Sequence, residues 1–132
     1  MINSTINLFK NKQSKKKFRD DFKSNNPIKK RQEESNRIIV KYPNRVPIIC
    51  EPINYEIEQI DRKKYLCPKD LSLANFLLVI RKRLKLSPEK ALYLFINKKL
   101  VPYSQLLGTI YEENKNEDGF LYINYAGEST FG

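Results

Sequence analysis

The chain has 132 residues and a formal net charge of +10 at pH 7, a length that suits one domain with a substantial hydrophobic core. It contains no histidine, and its two cysteines, Cys50 and Cys67, lack CxxC spacing. These features exclude zinc sites and Ser-His or Cys-His catalysis as usually built. We therefore expect a single globule that is not an enzyme and needs no metal or cofactor, with both cysteines as small buried hydrophobes.

The positive charge is concentrated at the N-terminus, where residues 1–45 hold 13 Lys and Arg against 4 Asp and Glu. Such a basic arm suits nucleic acid, an anionic membrane or an acidic peptide, and composition does not choose among them. Residues 1–17 are rich in Asn, Lys, Ser and Gln, so we expect a disordered extension that raises affinity for anionic membranes. No apolar run approaches the length of a membrane span, so membrane contact is expected to be peripheral or covalent.

Two short helices are predicted before the first strand. The first is a helical turn around Phe18 and Phe22, ended by the Asn-Asn-Pro that follows. The second has Asn26 as its N-cap and Pro27 at its first helical position, and it runs through Lys29 to about Lys41.

Strands are predicted at residues 46–51 and 63–67. Pro47 lies in the first strand and confines it to a sheet edge, a strand end or an irregular step in the ladder. The second strand carries two lysines and is followed by Pro68, which suits an exposed sheet edge.

An amphipathic helix is predicted over residues 71–84, with Asp70 or Ser72 as its cap. Its apolar residues fall at i, i+3, i+4, i+7 and i+11, namely Leu73, Phe76, Leu77, Ile80 and Leu84. Cations follow in its last turn, where they suit the helix dipole.

The next elements are a strand at 92–96, a turn at 97–99 and a short strand at 100–102. Ser104 is predicted to cap another helix, whose inward-facing residues are Leu107, Ile110 and Tyr111.

The last strand is predicted at residues 120–125, after an Asp-Gly turn. Because both of its faces are apolar or aromatic, it belongs at the centre of a sheet with a layer on each face. From about residue 126 we expect a flexible tail that ends at Gly132. A terminal glycine has no Cβ, so its carboxylate can enter a narrow enzyme channel; the alternative is an ordinary frayed terminus.

Two hairpins around one amphipathic helix, with the last strand inserted centrally, predict an α+β fold. It is the ubiquitin-like β-grasp, a four-stranded mixed sheet with two additional N-terminal helices. Those helices are expected to cover the sheet face that carries Phe120 and Tyr122.

Several segments strongly resemble the autophagy ubiquitin-like modifiers of the GABARAP type. The resemblance runs from about residue 18 to residue 132, and residues 1–17 fall outside it as an extension. The segments include Lys41-Tyr42-Pro43-Asn44-Arg45-Val46-Pro47-Ile48-Ile49-Cys50-Glu51, Ile80-Arg81-Lys82-Arg83 and Asp118-Gly119-Phe120-Leu121-Tyr122.

The resemblance implies conjugation through the C-terminal glycine. In this family a cysteine protease exposes the glycine and can later release it, activating and conjugating enzymes carry it as a thioester, and it is joined to phosphatidylethanolamine. The chain is then expected in the cytoplasm and, when conjugated, on autophagosomal membranes. Gly132 stands at the matching position, and it is either a processed end or an encoded one.

The resemblance also implies that cargo receptors bind through short acidic aromatic-x-x-aliphatic peptides at the edge formed by residues 63–67. The pocket for the aromatic side chain would comprise Glu34, Ile38, Pro47, Ile49, Lys64, Leu66 and Phe120. The aliphatic pocket would comprise Tyr65, Cys67, Pro68, Leu71, Phe76 and Val79. The acidic flank of the peptide would meet Arg45, Lys64 and Arg83. For Ile49 and Phe76 the simpler interpretation is a place in the core.

The competing hypothesis is a basic β-grasp domain that binds RNA or another polyanion. Against it, the aromatic residues occupy core-compatible positions rather than an exposed stacking row. We therefore expect no specific nucleic-acid partner. A steep loss of binding as salt rises would instead indicate contacts to phosphates.

Overall fold

The computed structural model of the chain describes residues 21–54, 57 and 59–128. The predicted disordered extension, Phe18 and Gly132 lie outside these residues. In chain order the elements are α1 (Phe22–Asn25), α2 (Ile28–Lys41), β1 (Arg45–Pro52), β2 (Lys64–Pro68), α3 (Leu73–Leu84), β3 (Leu92–Ile96), α4 (Leu107–Asn114) and β4 (Leu121–Gly127).

The four strands form one mixed sheet in the order β2-β1-β4-β3. β1 runs antiparallel to β2 and parallel to β4, and β4 runs antiparallel to β3. The last strand therefore lies inside the sheet and β2 lies at its edge. The predicted ubiquitin-like β-grasp is confirmed.

The larger core lies between the sheet and α3. Phe76 and Ile80 on α3 are fully buried, and so are Leu121 and Ile123, which alternate along β4. The hydroxyl of Ser72 accepts a hydrogen bond from the main-chain N–H of Asn75 at 3.1 Å and caps the helix. Of the two predicted caps Ser72 is the one used, and α3 begins two residues later than predicted.

A smaller core lies on the opposite face, under α1 and α2. It consists of Phe22, Ile49 and Phe120, with Ile38 and Tyr122 packed against it. The rings of Phe22 and Phe120 meet edge to face with centroids 5.4 Å apart. The two N-terminal helices thus cover this face as predicted.

Beside the smaller core, a polar clamp joins α2 to the start of β4. The buried Asp118 carboxylate accepts hydrogen bonds from Arg31 and from the hydroxyl of Tyr122, both at 2.5 Å. Burial and then the hydrogen bond to Asp118 raise the pKa of Tyr122. Gly119 has φ +92° and lies so close to Ser35 that a Cβ would collide with it. The clamp therefore holds α2 in one position over the sheet.

The predicted start of the second helix is wrong by one residue. Pro27, not Asn26, is the N-cap of α2, and no side chain caps that end. The amide of Asn26 instead donates to the carbonyl of Phe22 at 2.9 Å, so it serves the end of α1.

The predicted cap of the last helix is also wrong. α4 begins after Leu106 without a side-chain cap, and Ser104 does not serve it. The N–H groups of Leu107 and Gly108 donate to the carbonyls of Leu71 and Lys69 at 2.8 and 2.9 Å. Main-chain acceptors from a distant segment therefore replace the capping side chain. Leu107, Ile110 and Tyr111 are buried as predicted.

The predicted short strand at 100–102 is absent. Asn97 and Lys98, with φ of 53° and 64°, return the chain so that Lys99 forms only an isolated bridge with Ile96. The N–H of Leu94 donates to the hydroxyl of Tyr103 at 3.2 Å. A side chain thus occupies the position on β3 that another strand would need.

One further boundary differs from the prediction, and the position of Pro47 in β1 agrees with it. β4 continues to Gly127, which pairs with Leu92, and Ala126 is fully buried, so the tail predicted from about residue 126 begins later. β1 lies inside the sheet with Pro47 near its start, so of the three predicted alternatives the strand end is the one that applies. Pro47 lies just before Ile48, where the parallel register with β4 begins, and its missing N–H therefore costs little.

Candidate functional site

The exposed edge of the sheet is β2, which pairs with β1 on one side only. The N–H of Cys50 donates to the carbonyl of Lys63 at 2.8 Å, and hydrogen-bonded pairs alternate along antiparallel strands. The main-chain groups of Lys64 and Leu66 therefore point away from β1. In the described part of the chain no strand pairs with them, so an extended peptide can add here.

The residues predicted to form the aromatic pocket lie on the α2 side of β2. Leu66 lies opposite Pro47, and Lys64 lies opposite Ile49. Leu66 is half-buried, whereas Ile49 and Phe120 are almost inaccessible. The latter two are therefore the floor beneath the pocket rather than its walls.

The wall of this pocket on α2 comes from Ile38 and Glu34. Ile38 packs against the smaller core, and the carboxylate of Glu34 forms an ion pair with Lys64 at 2.7 Å. That ion pair joins α2 to β2 beside the residues predicted for the pocket.

The residues predicted to form the aliphatic pocket lie on the α3 side of β2. Tyr65, Cys67 and Leu71 are partly buried against the larger core, while Pro68 is exposed and Val79 is 39% exposed. Phe76 is fully buried and meets the ring of Tyr65 edge to face at 5.4 Å. Like Ile49, it supports the pocket from below.

Two titratable groups among the residues predicted for the aliphatic pocket have raised pKa values. Burial raises the pKa of the Cys67 thiol to about 11, although Arg45 opposes the shift. Cys67 is therefore protonated near neutral pH and acts as an apolar wall. Burial likewise raises the pKa of Tyr65, whose hydroxyl is buried without a hydrogen-bond partner in the described part of the chain.

The cations predicted to meet an acidic flank differ in their availability. Lys64 is paired with Glu34, and Arg83 is paired with Asp61 at 3.1 Å. Arg45 is exposed and makes no ion pair among the described residues. An acidic peptide would have to compete for two of these three side chains.

Phe22 was missed as part of the site. The ammonium group of Lys64 lies 5.3 Å from the centre of its ring, so Phe22 supports the aromatic pocket from α1. A signal for this was available, because the helix that contains Phe22 was predicted to cover the sheet face that carries Phe120.

Two functional classes were checked against the described residues. In residues 21–54, 57 and 59–128 no group of three or more Cys, Asp or Glu side chains is placed to hold a metal ion. None of the helices described is long and apolar enough to cross a bilayer.

Comparison with known proteins decides the family. The model of the family described as "Autophagy protein Atg8 ubiquitin like" matches residues 30–132. The chain belongs to the Atg8 family. It is 56% identical to autophagy-related protein 8 of Schizosaccharomyces pombe over 116 residues. The aligned region covers 87% of this chain and 93% of that protein. Autophagy-related protein 8 of Emericella nidulans is 53% identical over 116 residues, 87% of this chain and 98% of its own.

A solved Atg8 structure agrees with the fold. The crystal structure of Trypanosoma brucei ATG8 aligns with a TM-score of 0.78 and 41% sequence identity, over 84% of this chain and 97% of that one. The resemblance seen in the sequence is thereby confirmed, and the chain is an autophagy ubiquitin-like protein. Membership of the Atg8 family does not favour the polyanion-binding hypothesis.

Proposed function

We propose that this Atg8-family chain is a lipid-conjugated modifier and adaptor without catalytic activity of its own. Its terminal glycine is joined to phosphatidylethanolamine, and the edge of β2 recruits cargo receptors to the autophagosomal membrane. Before conjugation it resides in the cytoplasm. The observation that supports the adaptor role is the exposed edge strand, which has the residues predicted for one pocket on its α2 side and those predicted for the other on its α3 side.

The spacing of the peptide motif fits these two pockets. In an extended strand, side chains at i and i+3 point to opposite faces and lie about 10 Å apart along the chain. An aromatic residue can therefore enter on the α2 side while an aliphatic residue three positions later enters on the α3 side. The main chain between them pairs with the outward-facing groups of Lys64 and Leu66.

The acidic flank contributes mainly to the rate of association and to specificity. Arg45 has no competing carboxylate among the described residues, whereas Lys64 must exchange Glu34 for an acid of the peptide. That exchange replaces one exposed ion pair with another, so its net contribution to affinity is small.

Conjugation requires the chain beyond β4 to reach a partner enzyme. Five residues follow Gly127, enough to extend about 17 Å. The carboxylate of Gly132 attacks the α-phosphorus of ATP and releases pyrophosphate, and a cysteine thiolate of the activating enzyme then displaces AMP to form a thioester. The conjugating enzyme accepts the acyl group, and the lipid amine then displaces its thiolate to form an amide. A cysteine protease is the partner for processing and release.

Calorimetry with a peptide of the form acidic-Trp-x-x-Leu tests the adaptor role. We expect a micromolar dissociation constant, which corresponds to a binding free energy of about −8 kcal/mol. Replacing Tyr65→Ala and Leu66→Ala together should nearly abolish binding. The matched control is Val40→Ala with Leu100→Ala, two exposed apolar positions outside β2, which should bind normally. Unchanged affinity in the Tyr65/Leu66 variant would remove the assignment of the site.

Deletion of Gly132 tests the modifier role. With the activating and conjugating enzymes, ATP and phosphatidylethanolamine vesicles, the parent should gain the mass of the lipid and the truncated chain should not. Peptide binding should be unchanged by the deletion. A parent chain that stays wholly unconjugated under these conditions would refute lipid attachment and leave only the peptide-binding adaptor.

A further inference from the structure

Helix α3 carries apolar side chains on its outer face as well as on its core face. Leu78 is 58% exposed and Val79 is 39% exposed. With the half-buried Leu86 they line a shallow groove of about 660 Å³, the α3 groove. Val79 also borders the aliphatic pocket, but Leu78 and Leu86 were not assigned to it. A cluster of exposed apolar side chains on the outside of a helix indicates a surface that binds a protein or a membrane.

The rim of the α3 groove is cationic. Arg81, Lys82 and Lys85 line it, and none of the described residues that line it is acidic. The guanidinium of Arg81 donates to the carbonyls of Lys90 and Ser87 at 2.8 and 3.0 Å, which fixes its position. Lys82 and Lys85 are exposed and make no ion pair within the described residues. The groove therefore presents an apolar floor inside a ring of positive charge.

This arrangement complements an anionic bilayer better than a peptide. The main-chain groups of α3 bond within the helix, so they offer no ladder to an extended segment. Apolar side chains among lysines are the features that bind a helix to the headgroup region of an anionic membrane.

The position of the groove agrees with this occupant. Gly127, at the end of β4, pairs with Leu92, and Lys90 two residues earlier accepts the hydrogen bond from Arg81. The groove thus adjoins the end of the sheet from which the tail leaves. A bilayer attached to Gly132 lies within about 17 Å of Gly127.

We propose that the α3 groove docks on the surface of an anionic membrane, with Leu78 and Leu86 entering the headgroup region and Lys82 and Lys85 meeting lipid phosphates and carboxylates. The orientation of the docked chain depends on the proposed lipid attachment, because that attachment keeps the groove close to the membrane surface. Docking gives the tethered domain one orientation instead of free rotation about its tail.

Vesicle flotation of the full unconjugated chain tests the groove directly. The vesicles are phosphatidylcholine with roughly 30% phosphatidylserine. The groove variant combines Lys82→Gln with Lys85→Asn; Asn is chosen because Lys85 has φ 56°, which Asn tolerates. Its partition coefficient should fall roughly 10- to 30-fold.

The matched control combines Lys29→Gln with Lys30→Asn, which removes the same charge from exposed positions on α2. It should lose less than about threefold, because these lysines lie outside the groove. Equal losses in the two variants would show that net charge alone drives binding and would overturn the proposal.

A probe at position 78 reports insertion. Leu78→Cys labelled with an environment-sensitive fluorophore should shift to the blue on the anionic vesicles, while Glu113→Cys on α4 should not. Absence of a shift at position 78 would overturn the proposal. So would full vesicle binding by the groove variant together with loss of its binding to an acidic peptide, which would assign the groove to a protein partner.

Conjugation is measured separately, so the two proposals can fail independently. The groove variant should still be conjugated, and the chain without Gly132 should still float with anionic vesicles. Failure of the parent to conjugate would remove the tether and leave the flotation result standing.

Discussion

The two faces of the sheet are stabilised by different chemistry. On the α3 side a continuous apolar core fills the space between helix and sheet. On the α2 side Phe22, Ile49 and Phe120 are the only described apolar residues that are buried together, and the clamp of Arg31 and Asp118 supplies directional bonds. The α3 face therefore supplies most of the stability, because burial of apolar area dominates it. The hydrogen bonds on the α2 face contribute in another way, because they fix the position of α2 relative to β2.

The largest effect should come from Phe76→Ala in the larger core. Phe76 is fully buried, so its removal should lower the free energy of unfolding by about 3–5 kcal/mol. Phe22→Ala on the other face should cost less, because the four-residue α1 can detach while the sheet stays folded. Urea denaturation of both variants measures this. Equal losses would show that the two faces form one cooperative core.

The next effect should come from Asp118→Ala in the polar clamp. The change leaves the guanidinium of Arg31 and the hydroxyl of Tyr122 without their shared acceptor, at a cost of about 3 kcal/mol. Glu34→Ala removes the partner of Lys64 from an exposed pair and should cost less than about 1 kcal/mol. Thermal denaturation compares the two. A similar loss in both variants would contradict the positioning role assigned to the clamp.

Smaller coupling energies should distinguish the predicted aromatic pocket from the predicted aliphatic pocket. In double-mutant cycles, Leu66→Ala should couple to replacement of the peptide's aromatic residue, and Tyr65→Ala to replacement of its aliphatic residue. Each matched coupling should be about 1 kcal/mol and each crossed coupling near zero. Calorimetry gives the four values. Strong crossed coupling would mean that the peptide lies on one face only.

The last effect is absent at neutral pH and should appear only at alkaline pH. Burial raises the pKa of Cys67 from 9.0 to about 11 and also raises that of Tyr65 on the same face. The folded chain then keeps protons that the unfolded chain releases, so the free energy of unfolding falls as pH rises from 9 to 11. Cys67→Val should be neutral at pH 7 and should lose less stability over this range. Denaturation at pH 7, 9 and 11 checks the sign.

Features set by local periodicity could be predicted from the sequence. The spacing of Leu73, Phe76 and Ile80 identified the core face of α3, and the apolar character of both faces of β4 identified an interior strand. The Atg8 resemblance added candidate site residues, and the structure brings them to the two sides of β2. Their function in peptide binding stays a prediction.

Features set by distant contacts could not be predicted in this way. Ser104 has the chemistry of a cap, but the carbonyls of Lys69 and Leu71 satisfy the start of α4 instead. Likewise the hydroxyl of Tyr103 occupies the edge of β3, where the sequence suggested another strand. A core position was favoured in advance for Ile49 and Phe76, but residue type did not show that Phe120 is also almost inaccessible, since exposure depends on what packs above it.

The parallel pairing of β1 with β4 also determines when this domain can form during synthesis. Asn124 reaches Glu51 across 73 residues of chain, and Phe120, which completes the smaller core, emerges at nearly the same late point. A nascent chain can close the β1–β2 hairpin early, but the apolar side chains of Ile48 and Ile49 then wait for their neighbouring strand. Until β4 leaves the ribosome these side chains stay exposed, and the edge predicted to bind peptides lacks Phe120 beneath it.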